Sequence, residues 1–330
     1  MKFSLIVCTY MRPKPLFRLL NSVNIQTLYP DQILIIDGSR DDETSQILHQ
    51  SNFKNLEYFK VSDYDRGLTK QRNFGISKLF PLSEVVCFLD DDIVLTSTYF
   101  ENLIDTYQDY PNSIGVGGYI INEVEWYKKD QAEVELDEFA YDGYVRHLGS
   151  RHLLRKKLGL QPDVPPCHMP KFSNGYAIGF LPPSGKKYRV ENFMGGVSSF
   201  RKKIFEKIKF SNYFHGYGLY EDMDFCIRAS KLGQLYVNTS AKLYHYHEDS
   251  GRPNDYKYGK MVIRNGWYVW RVRYPSPDLI STLKWYSIAV LLTLIRFSNA
   301  LFTSSKKKAF TESMGRVVGL CSLLIRKPIE

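Results

Sequence analysis

The chain has 330 residues, of which 44% are hydrophobic and 15% aromatic, which is enough to bury a substantial core and excludes a disordered chain. Its five cysteines lie far apart, which excludes a disulfide-rich secreted scaffold and a paired-cysteine zinc site and indicates a reducing compartment. The net charge of +9 is confined to residues 251–330, where 14 Lys and Arg face 4 Asp and Glu, while the preceding residues carry 30 against 31. Because the body is neutral, we expect no nucleic-acid partner.

The first third of the chain alternates apolar strand-like runs with helical patterns, which is typical of an open α/β sheet. The pattern predicts strands over residues 3–8, 32–37, 56–61, 85–89 and 114–121. It predicts helices between them over residues 15–27, 41–50, 69–80 and 97–109. No small-residue cleavage site follows the first apolar run, so we interpret that run as a strand and not as a signal peptide.

Residues 122–189 lose this rhythm and are rich in Tyr, His, Lys and Pro. We expect an irregular segment there, and its aromatic part over residues 141–188 suits sugar rings and predicts an acceptor site. Order returns with a predicted helix over residues 201–208, a second helix that opens at Glu221, and a strand over residues 241–247.

The basic tail contains a mostly apolar stretch over residues 285–302, bounded by Lys284 and by the lysines at 306–308. Arg296 interrupts it, and it falls short of the roughly 20 apolar residues that a membrane span needs. The pattern favours an amphipathic helix that lies in the plane of an anionic membrane surface. A packed core helix and a true span stay open as alternatives.

Three consecutive aspartates, Asp90, Asp91 and Asp92, follow the predicted strand over residues 85–89. Carboxylates this close need a cation nearby, and the carboxyl ends of strands in open α/β sheets are where ligands bind. Extended backbone places the first and third carboxylates on one side, so the triplet predicts Mg²⁺ or Mn²⁺ shared with a substrate diphosphate. A solvated acidic loop that caps the next helix stays open as an alternative.

A second acidic cluster, Glu221, Asp222 and Asp224, opens a predicted helix. Asp224 can pair with Arg228 one helical turn on, which leaves the other two carboxylates without an obvious structural partner. Either of them can take the proton of a sugar hydroxyl. Acidic residues also favour a helix amino end through the macrodipole, which is the structural alternative.

Three further patterns point to ligand binding. Asp37 ends the second strand and can accept hydrogen bonds from a base or ribose, and residues 67–75 offer a glycine turn before a basic helix start. His245 and His247 lie two apart on a predicted strand and so share a face, where one can complete a metal shell and the other bind phosphate. Ordinary structural roles remain open for all three.

In this order, the motifs resemble those of the family 2 glycosyltransferases of the GT-A fold. The matching segments are residues 5–13, 35–39, 67–75, 88–92, 195–201, 221–228 and 245–247. The resemblance implies an α/β fold with a Rossmann-like open mixed sheet flanked by helices. It implies a catalytic domain over residues 1–250, with a nucleotide-sugar half over 1–121 and an acceptor half over 122–250, and a helical basic tail over 251–330.

The same resemblance assigns roles to individual residues. It implies a nucleotide-sugar site formed by Thr9, Tyr10, Arg12, Asp37, Arg72, Asp90 and Asp91. It implies that Mn²⁺ or Mg²⁺ is held by Asp92, Asp90 and either His245 or His247. Because the three aspartates are contiguous, their register stays open, with Asp91 as the alternative metal ligand. It implies that Asp222 is the catalytic base, with Glu221 as the alternative, and that Gly195 and Gly196 contact the acceptor.

The function that the resemblance implies is inverting, metal-dependent transfer of one sugar from a nucleotide-diphosphate sugar, with UDP and dTDP favoured. The acceptor is expected to be a hydroxyl of a glycan or lipid-linked glycan in cell-surface polysaccharide biosynthesis. The Gln-x-x-Arg-Trp element of processive members is absent from the sequence. We expect a cytoplasmic protein, peripheral on the inner face of the cell membrane. The alternative is a non-catalytic sugar- or nucleotide-binding module of the same fold.

Overall fold

The structure, a computed structural model, describes residues 1–129, 134–248 and 253–328. The chain forms two compact units, which we call the sheet unit (Met1–Glu125 and Leu181–Gly251) and the helical unit (Trp126–Phe180 and Arg252–Glu330). The predicted division between residues 250 and 251 falls outside the described residues, so the domain assignment stays a prediction.

The sheet unit begins with the predicted alternation of strands and helices. Its first strands are β1 (Phe3–Thr9), β2 (Gln32–Asp37), β3 (Leu56–Lys60), β4 (Val85–Asp90), β5 (Ile93–Leu95) and β6 (Ser113–Ile120). The helices between them are α1 (Pro13–Asn24), α2 (Glu43–His49), α3 (Leu68–Ser77) and α4 (Tyr99–Asp109). The predicted elements are confirmed with small shifts at their ends, and β5 is an additional short strand.

The helical unit contains regular structure where an irregular segment was predicted. A small antiparallel sheet comprises β7 (Tyr127–Lys128), β8 (Glu138–Tyr141) and β9 (Tyr144–His147), and α5 (Ser150–Lys157) follows it. The prediction for residues 122–189 was therefore wrong at these positions. These strands have four residues or fewer, too few for an alternation of apolar and polar residues to be read from the sequence.

The chain then returns to the sheet unit through β10 (Lys187–Val190), β11 (Val197–Arg201), α6 (Glu221–Ser230) and β12 (Gln234–His245). The helix predicted over residues 201–208 is only a 3-10 segment, Lys202–Glu206, because Arg201 pairs with Val85 as part of β11. The predicted last strand starts earlier, at Gln234. The sequence pattern did not indicate this start, because the polar residue Asn238 interrupts the apolar run. In the structure, the Asn238 amide donates a hydrogen bond to the Asn102 carbonyl inside the unit.

Nine strands of the described residues form one mixed sheet in the order β10-β12-β6-β11-β4-β1-β2-β3, and β5 pairs with the end of β12. β1 runs parallel to β2 and β4, whereas β11 runs antiparallel to β4 and β6. The register pairs Thr9 with Asp37 and Cys8 with Asp90, so three strands end at one edge. Ligands bind at this edge of open α/β sheets. The predicted α/β fold class with an open mixed sheet is confirmed.

Helix α1 illustrates why the helices cover the sheet. Pro13 occupies the first turn, where a missing N–H removes no helical hydrogen bond. Leu16, Leu19, Leu20 and Val23 recur at helical spacing, and all four are buried. They join the apolar residues of β1 and β2 in one core. This core fixes the sheet edge on which the polar residues lie.

The helical unit ends in α7 (Asp255–Arg273), α8 (Leu279–Phe302) and α9 (Lys306–Ile325). This tail was predicted to be helical, and α8 is the one of the three that was predicted as an individual helix. Glycines lie where α7 contacts α9. A Cβ added at Gly259 would lie 2.0 Å from the Glu312 carbonyl oxygen, and one at Gly315 would lie 2.0 Å from that of Tyr256. Glycine weakens a helical pattern in sequence, yet here it allows two helix backbones to approach closely.

By length and composition, α8 is the one described helix that is able to cross a membrane, and 22% of its apolar window is buried. One face carries the exposed residues Leu283, Val290, Leu294, Phe297 and Leu301. Inside the helical unit, Arg296 Nε lies 2.7 Å from Glu312 Oε2 of α9.

Candidate active site

Asp91 is held by other residues of the sheet unit. It is buried, the Thr9 hydroxyl donates a hydrogen bond of 2.7 Å to its Oδ2, and Arg12 Nη1 lies 3.0 Å from its Oδ1. Burial raises the pKa of Asp91 to about 7, although Arg12 and the Thr9 hydroxyl lower it. Tyr10 and Met11 turn the chain between these partners, with Met11 at a φ of 57°. Thr9, Arg12 and Asp91, all predicted nucleotide residues, are thus neighbours.

Asp90 and Asp92 lie with His245. Ligand atoms of these three residues are all within 4.8 Å of one another, and Asp92 Oδ1 lies 3.2 Å from His245 Nε2. That buried oxygen accepts no hydrogen bond of good geometry within the described residues. Burial raises the pKa of Asp92, but His245, the Glu248 N–H and Arg12 together lower it, so the net shift is downward. Two carboxylates and an imidazole, with one carboxylate oxygen that accepts no hydrogen bond, form a ligand set that fits Mn²⁺ or Mg²⁺.

Residues 122 and 123 hold His245 in place. The His245 N–H donates to Asn122 Oδ1 at 3.0 Å, and Asn122 Nδ2 donates to the His245 carbonyl at 2.9 Å. Glu123 Oε1 lies 3.0 Å from His245 Nδ1. Burial lowers the pKa of His245, and the neighbouring carboxylates of Asp92 and Glu123 raise it to about 10.

His247 lies beyond the end of β12, and its ring centroid is 4.1 Å from that of His245. Its Nε2 lies 3.2 Å from Glu123 Oε1. Ligand atoms of Glu123, His245 and His247 also lie within 4.8 Å of one another, close enough to bind one metal ion. Of the two predicted histidines, however, His245 is the one grouped with the aspartates.

Glu221 and Asp222 begin α6 beside Arg72. Arg72 and Glu221 form a direct buried ion pair, and Arg72 Nη2 lies 3.7 Å from Asp90 Oδ1. Burial raises the pKa of Glu221 to about 8, while Arg72 lowers it and Asp222 raises it. Asp222 is half-buried, and its Oδ2 accepts a hydrogen bond of 3.0 Å from the Gly195 N–H. Arg72, predicted on the nucleotide side, therefore links the aspartate triplet to Glu221, the alternative base and the neighbour of Asp222 in sequence.

Gly195 and Gly196 lie where the chain passes these carboxylates. A Cβ on Gly195 would lie 2.6 Å from Glu221 Oε1, and one on Gly196 would lie 2.1 Å from Asp90 Oδ2. The Gly196 carbonyl also accepts a 3.0 Å hydrogen bond from the Asp90 N–H. Both positions thus need glycine because the backbone passes too close to the Glu221 and Asp90 carboxylates for a side chain. The contact of these glycines with an acceptor stays a prediction.

Asp37 is fully buried at the end of β2. Its Oδ1 accepts a hydrogen bond of 2.7 Å from the Ser39 N–H, and its Oδ2 accepts one of 2.9 Å from the Tyr58 hydroxyl. Both oxygens thus have partners within the sheet unit, and binding of a base or ribose stays a prediction.

Sequence reasoning missed several residues that shape this edge. Gln71 Nε2 donates to the carbonyls of Thr9 at 3.1 Å and Ile36 at 2.7 Å, which ties α3 to β1 and β2. Asn122 and Glu123 follow β6, a strand parallel to β12. The signal that points to them is their position directly after the carboxyl end of a central strand.

Comparisons with known proteins agree with this geometry. Residues 4–208 match the family described as Glycosyl transferase family 2, and residues 178–248 match one described as the N-terminal domain of galactosyltransferase. The fold resembles that of the solved structure of GalNAc-T7 with UDP, GalNAc and Mn²⁺, with a TM-score of 0.52 and 14% identity over 79% of this chain and 47% of that one. That likeness shows the fold alone.

Two curated relatives match shorter regions. A glucosyl-dolichyl phosphate glucuronosyltransferase of Haloferax volcanii is 29% identical over 37% of this chain, and the O-antigen chain rhamnosyltransferase RfbN of Salmonella typhimurium is 28% identical over 33%. The matches span 39% and 34% of the lengths of these relatives. Since the family match extends over residues 4–208, more than half of the chain, and contains the aspartate triplet, the chain belongs to glycosyl transferase family 2.

Proposed function

We propose that this chain is an inverting, metal-dependent glycosyltransferase that moves one sugar from a nucleotide-diphosphate sugar to a hydroxyl of a glycan or lipid-linked glycan. The observation that carries the proposal is the arrangement at one sheet edge. Asp90, Asp92 and His245 form a metal-type donor set, and Arg72 connects it to the carboxylates that begin α6. Metal ligands beside a general base suit glycosyl transfer from a diphosphate, because the metal stabilises the leaving group and the base takes the acceptor proton.

Asp90, Asp92 and His245 are the residues that we propose as ligands of Mn²⁺ or Mg²⁺, with His247 as the alternative histidine. When bound, the divalent ion supplies positive charge that stabilises the departing diphosphate. Arg12 adds a fixed cation on the same side, since its Nη1 lies 3.3 Å from Asp92 Oδ2.

Asp222 is the base in this proposal. The acceptor oxygen forms its bond to the anomeric carbon as the bond to the diphosphate oxygen breaks, and Asp222 takes the hydroxyl proton. A single displacement of this kind inverts the anomeric configuration. Asp222 is half-buried and oriented by the Gly195 N–H, whereas Glu221 is buried and already paired with Arg72. These contacts favour Asp222 for the proton transfer and Glu221 for holding Arg72.

We assign nucleotide binding to the first half of the sheet unit, with UDP or dTDP as the expected nucleotide. Thr9 and Arg12 lie around Asp91, Tyr10 lies between them in sequence, and Asp37 ends the neighbouring strand. Cell-surface polysaccharide biosynthesis is the process that we propose.

The helical unit is proposed to bind an anionic membrane surface at the inner face of the cell membrane. The exposed face of α8 is apolar, and α9 exposes a matching row at helical spacing, formed by Phe310, Met314, Val317, Cys321 and Leu324. The lysines at 306–308, which begin α9, are exposed. Apolar faces with adjacent lysines suit a helix pair that lies in the membrane plane.

A diphosphate-release assay tests the enzymatic proposal. UDP-, dTDP- and GDP-sugars are supplied in turn with Mn²⁺, Mg²⁺ or EDTA, to the wild-type protein and to Asp92→Asn. We expect metal-dependent release from one donor and its loss in Asp92→Asn. Asp105→Asn, an exposed aspartate of α4, is the matched control and should retain full release.

The alternative, a non-catalytic sugar- or nucleotide-binding module, predicts a different result. Such a module would bind one nucleotide sugar without diphosphate release under any condition, including with an acceptor extract. Release that is insensitive to EDTA would instead contradict the metal-dependent part of the proposal.

A further inference from the structure

Both ring nitrogens of His245 have acidic neighbours in the sheet unit. Nε2 lies 3.2 Å from Asp92 Oδ1, and Nδ1 lies 3.0 Å from Glu123 Oε1. A neutral imidazole carries one N–H donor and one lone pair, so the partner of one nitrogen decides what the other can bind. Glu123 is therefore in position to select the form of His245 that faces the aspartates.

We propose that Glu123 is a positioning residue that accepts the Nδ1–H of His245 and so directs the Nε2 lone pair toward a metal ion held with Asp90 and Asp92. The inference rests on the metal centre of the proposed function and adds a residue outside the sequence motifs considered above. Carboxylates that orient metal-binding histidines in this way fix the tautomer and the ring direction.

Two further contacts limit where the His245 ring and the Glu123 carboxylate can lie. Asn122 forms hydrogen bonds with both the N–H and the carbonyl of His245, which fixes the backbone position from which the ring projects. His247 Nε2 lies 3.2 Å from the same Glu123 oxygen and gives the carboxylate a second contact.

Direct Mn²⁺ binding tests the role. The free ion is followed by electron paramagnetic resonance during titration of the wild-type protein, Glu123→Gln, Glu123→Ala and Glu125→Gln, with the thermal midpoint of each measured in parallel. The last variant changes an exposed glutamate two residues on and is the matched control. The apparent KM for Mn²⁺ and the kcat at saturating Mn²⁺ give a second readout.

We expect Mn²⁺ affinity to fall about 10- to 100-fold in Glu123→Ala, the usual effect of losing such a partner. Glu123→Gln should lose less, because its amide oxygen still accepts the Nδ1–H without the charge. The KM for Mn²⁺ should rise while kcat at saturation stays near the wild-type value, and Glu125→Gln should match wild type.

Three results would overturn the inference, and the first two differ in what else they overturn. If the wild-type protein binds Mn²⁺ and both Glu123 variants bind it equally well, the positioning role is wrong and the metal centre stands. If the wild-type protein binds no Mn²⁺, with or without the nucleotides of the donor panel, the metal centre fails and the role of Glu123 fails with it. A fall in thermal midpoint and kcat without a change in Mn²⁺ affinity would indicate a purely structural residue.

Discussion

At the scale of single residues, backbone direction separates three adjacent aspartates. Asp90 ends β4, Asp91 contacts Thr9 and Arg12, and Asp92 contacts His245 as well as Arg12. The sequence identified the triplet but left its register open, since three identical residues give no signal for their directions. The contacts of each aspartate are set by residues distant in sequence, Arg12 and His245, whose positions depend on the packing of α1 and β12.

The base assignment belongs to this scale. Asp222→Asn should lower turnover by about 10²- to 10⁴-fold while nucleotide binding is retained, because the amide cannot take the acceptor proton but can still accept the Gly195 N–H. The check is steady-state turnover with the identified donor and acceptor, alongside nucleotide affinity measured by calorimetry.

Glu221→Gln and Glu206→Gln serve as comparisons for that variant. Glu206 is exposed and should show wild-type kinetics. Wild-type turnover in Asp222→Asn, together with a large loss in Glu221→Gln at unchanged nucleotide affinity, would transfer the base role to Glu221.

At the scale of elements, the predictable parts were those with long and regular patterns. β1, β2 and β4 are continuous apolar runs, and α1 carries a clear apolar stripe, so each was found with nearly correct ends. The short strands of the helical unit were missed, because they have too few residues to show an alternation of apolar and polar side chains. The rings of Tyr176 and Phe180, in the segment predicted to shape an acceptor site, stack at 4.2 Å and form a small core.

The glycine contact between α7 and α9 gives a stability prediction. Gly259→Ala should lower the free energy of unfolding by about 1–3 kcal/mol, the usual range for overpacking, because its Cβ would meet backbone and not a flexible side chain. Urea unfolding followed by circular dichroism measures the change.

Gly149→Ala is the matched substitution in the same unit, since a Cβ there has no neighbour within 4 Å. It should lower the free energy of unfolding by about 1 kcal/mol or less, because Gly149 is the N-cap of α5 and alanine is a poorer N-cap than glycine. Equal effects of the two substitutions would mean that the close approach of α7 and α9 contributes no more to stability than an open position.

At the scale of the whole molecule, the charge distribution is the feature that sequence alone described correctly, because it is a sum that needs no coordinates. The excess of lysine and arginine lies in residues 251–330, whose described part is helical. What the sequence left open was which face of each helix is exposed. That depends on α8 packing against α9 and on the Arg296–Glu312 ion pair between them.

Replacing Lys306, Lys307 and Lys308 by Gln should weaken binding to anionic vesicles by about 1 kcal/mol for each lysine, or roughly 100-fold in all. Sedimentation with phosphatidylcholine vesicles, with and without phosphatidylglycerol, measures this. Substituting Lys14, Lys54 and Lys207, exposed lysines of the sheet unit, makes the same change in net charge and should leave binding unchanged.

An alkaline wash of the membranes distinguishes an in-plane helix from a span. We expect the bound protein to be released, since α8 lies against α9 and exposes one apolar face. Retention after the wash would contradict the in-plane arrangement and favour a spanning α8.

The pairing of β5 with the end of β12 joins the aspartate triplet to His245, with Ile93 opposite His245 in the register. The three residues of the proposed metal centre therefore come from positions 90, 92 and 245, and they meet only after the last strand of the sheet has been made and paired. During synthesis, a nascent chain that ends before β12 has no such centre. An ion bound by all three groups recognises the finished sheet and not the unfolded chain, so at 100 times its Kd it would add about 2.7 kcal/mol to the stability of the folded state.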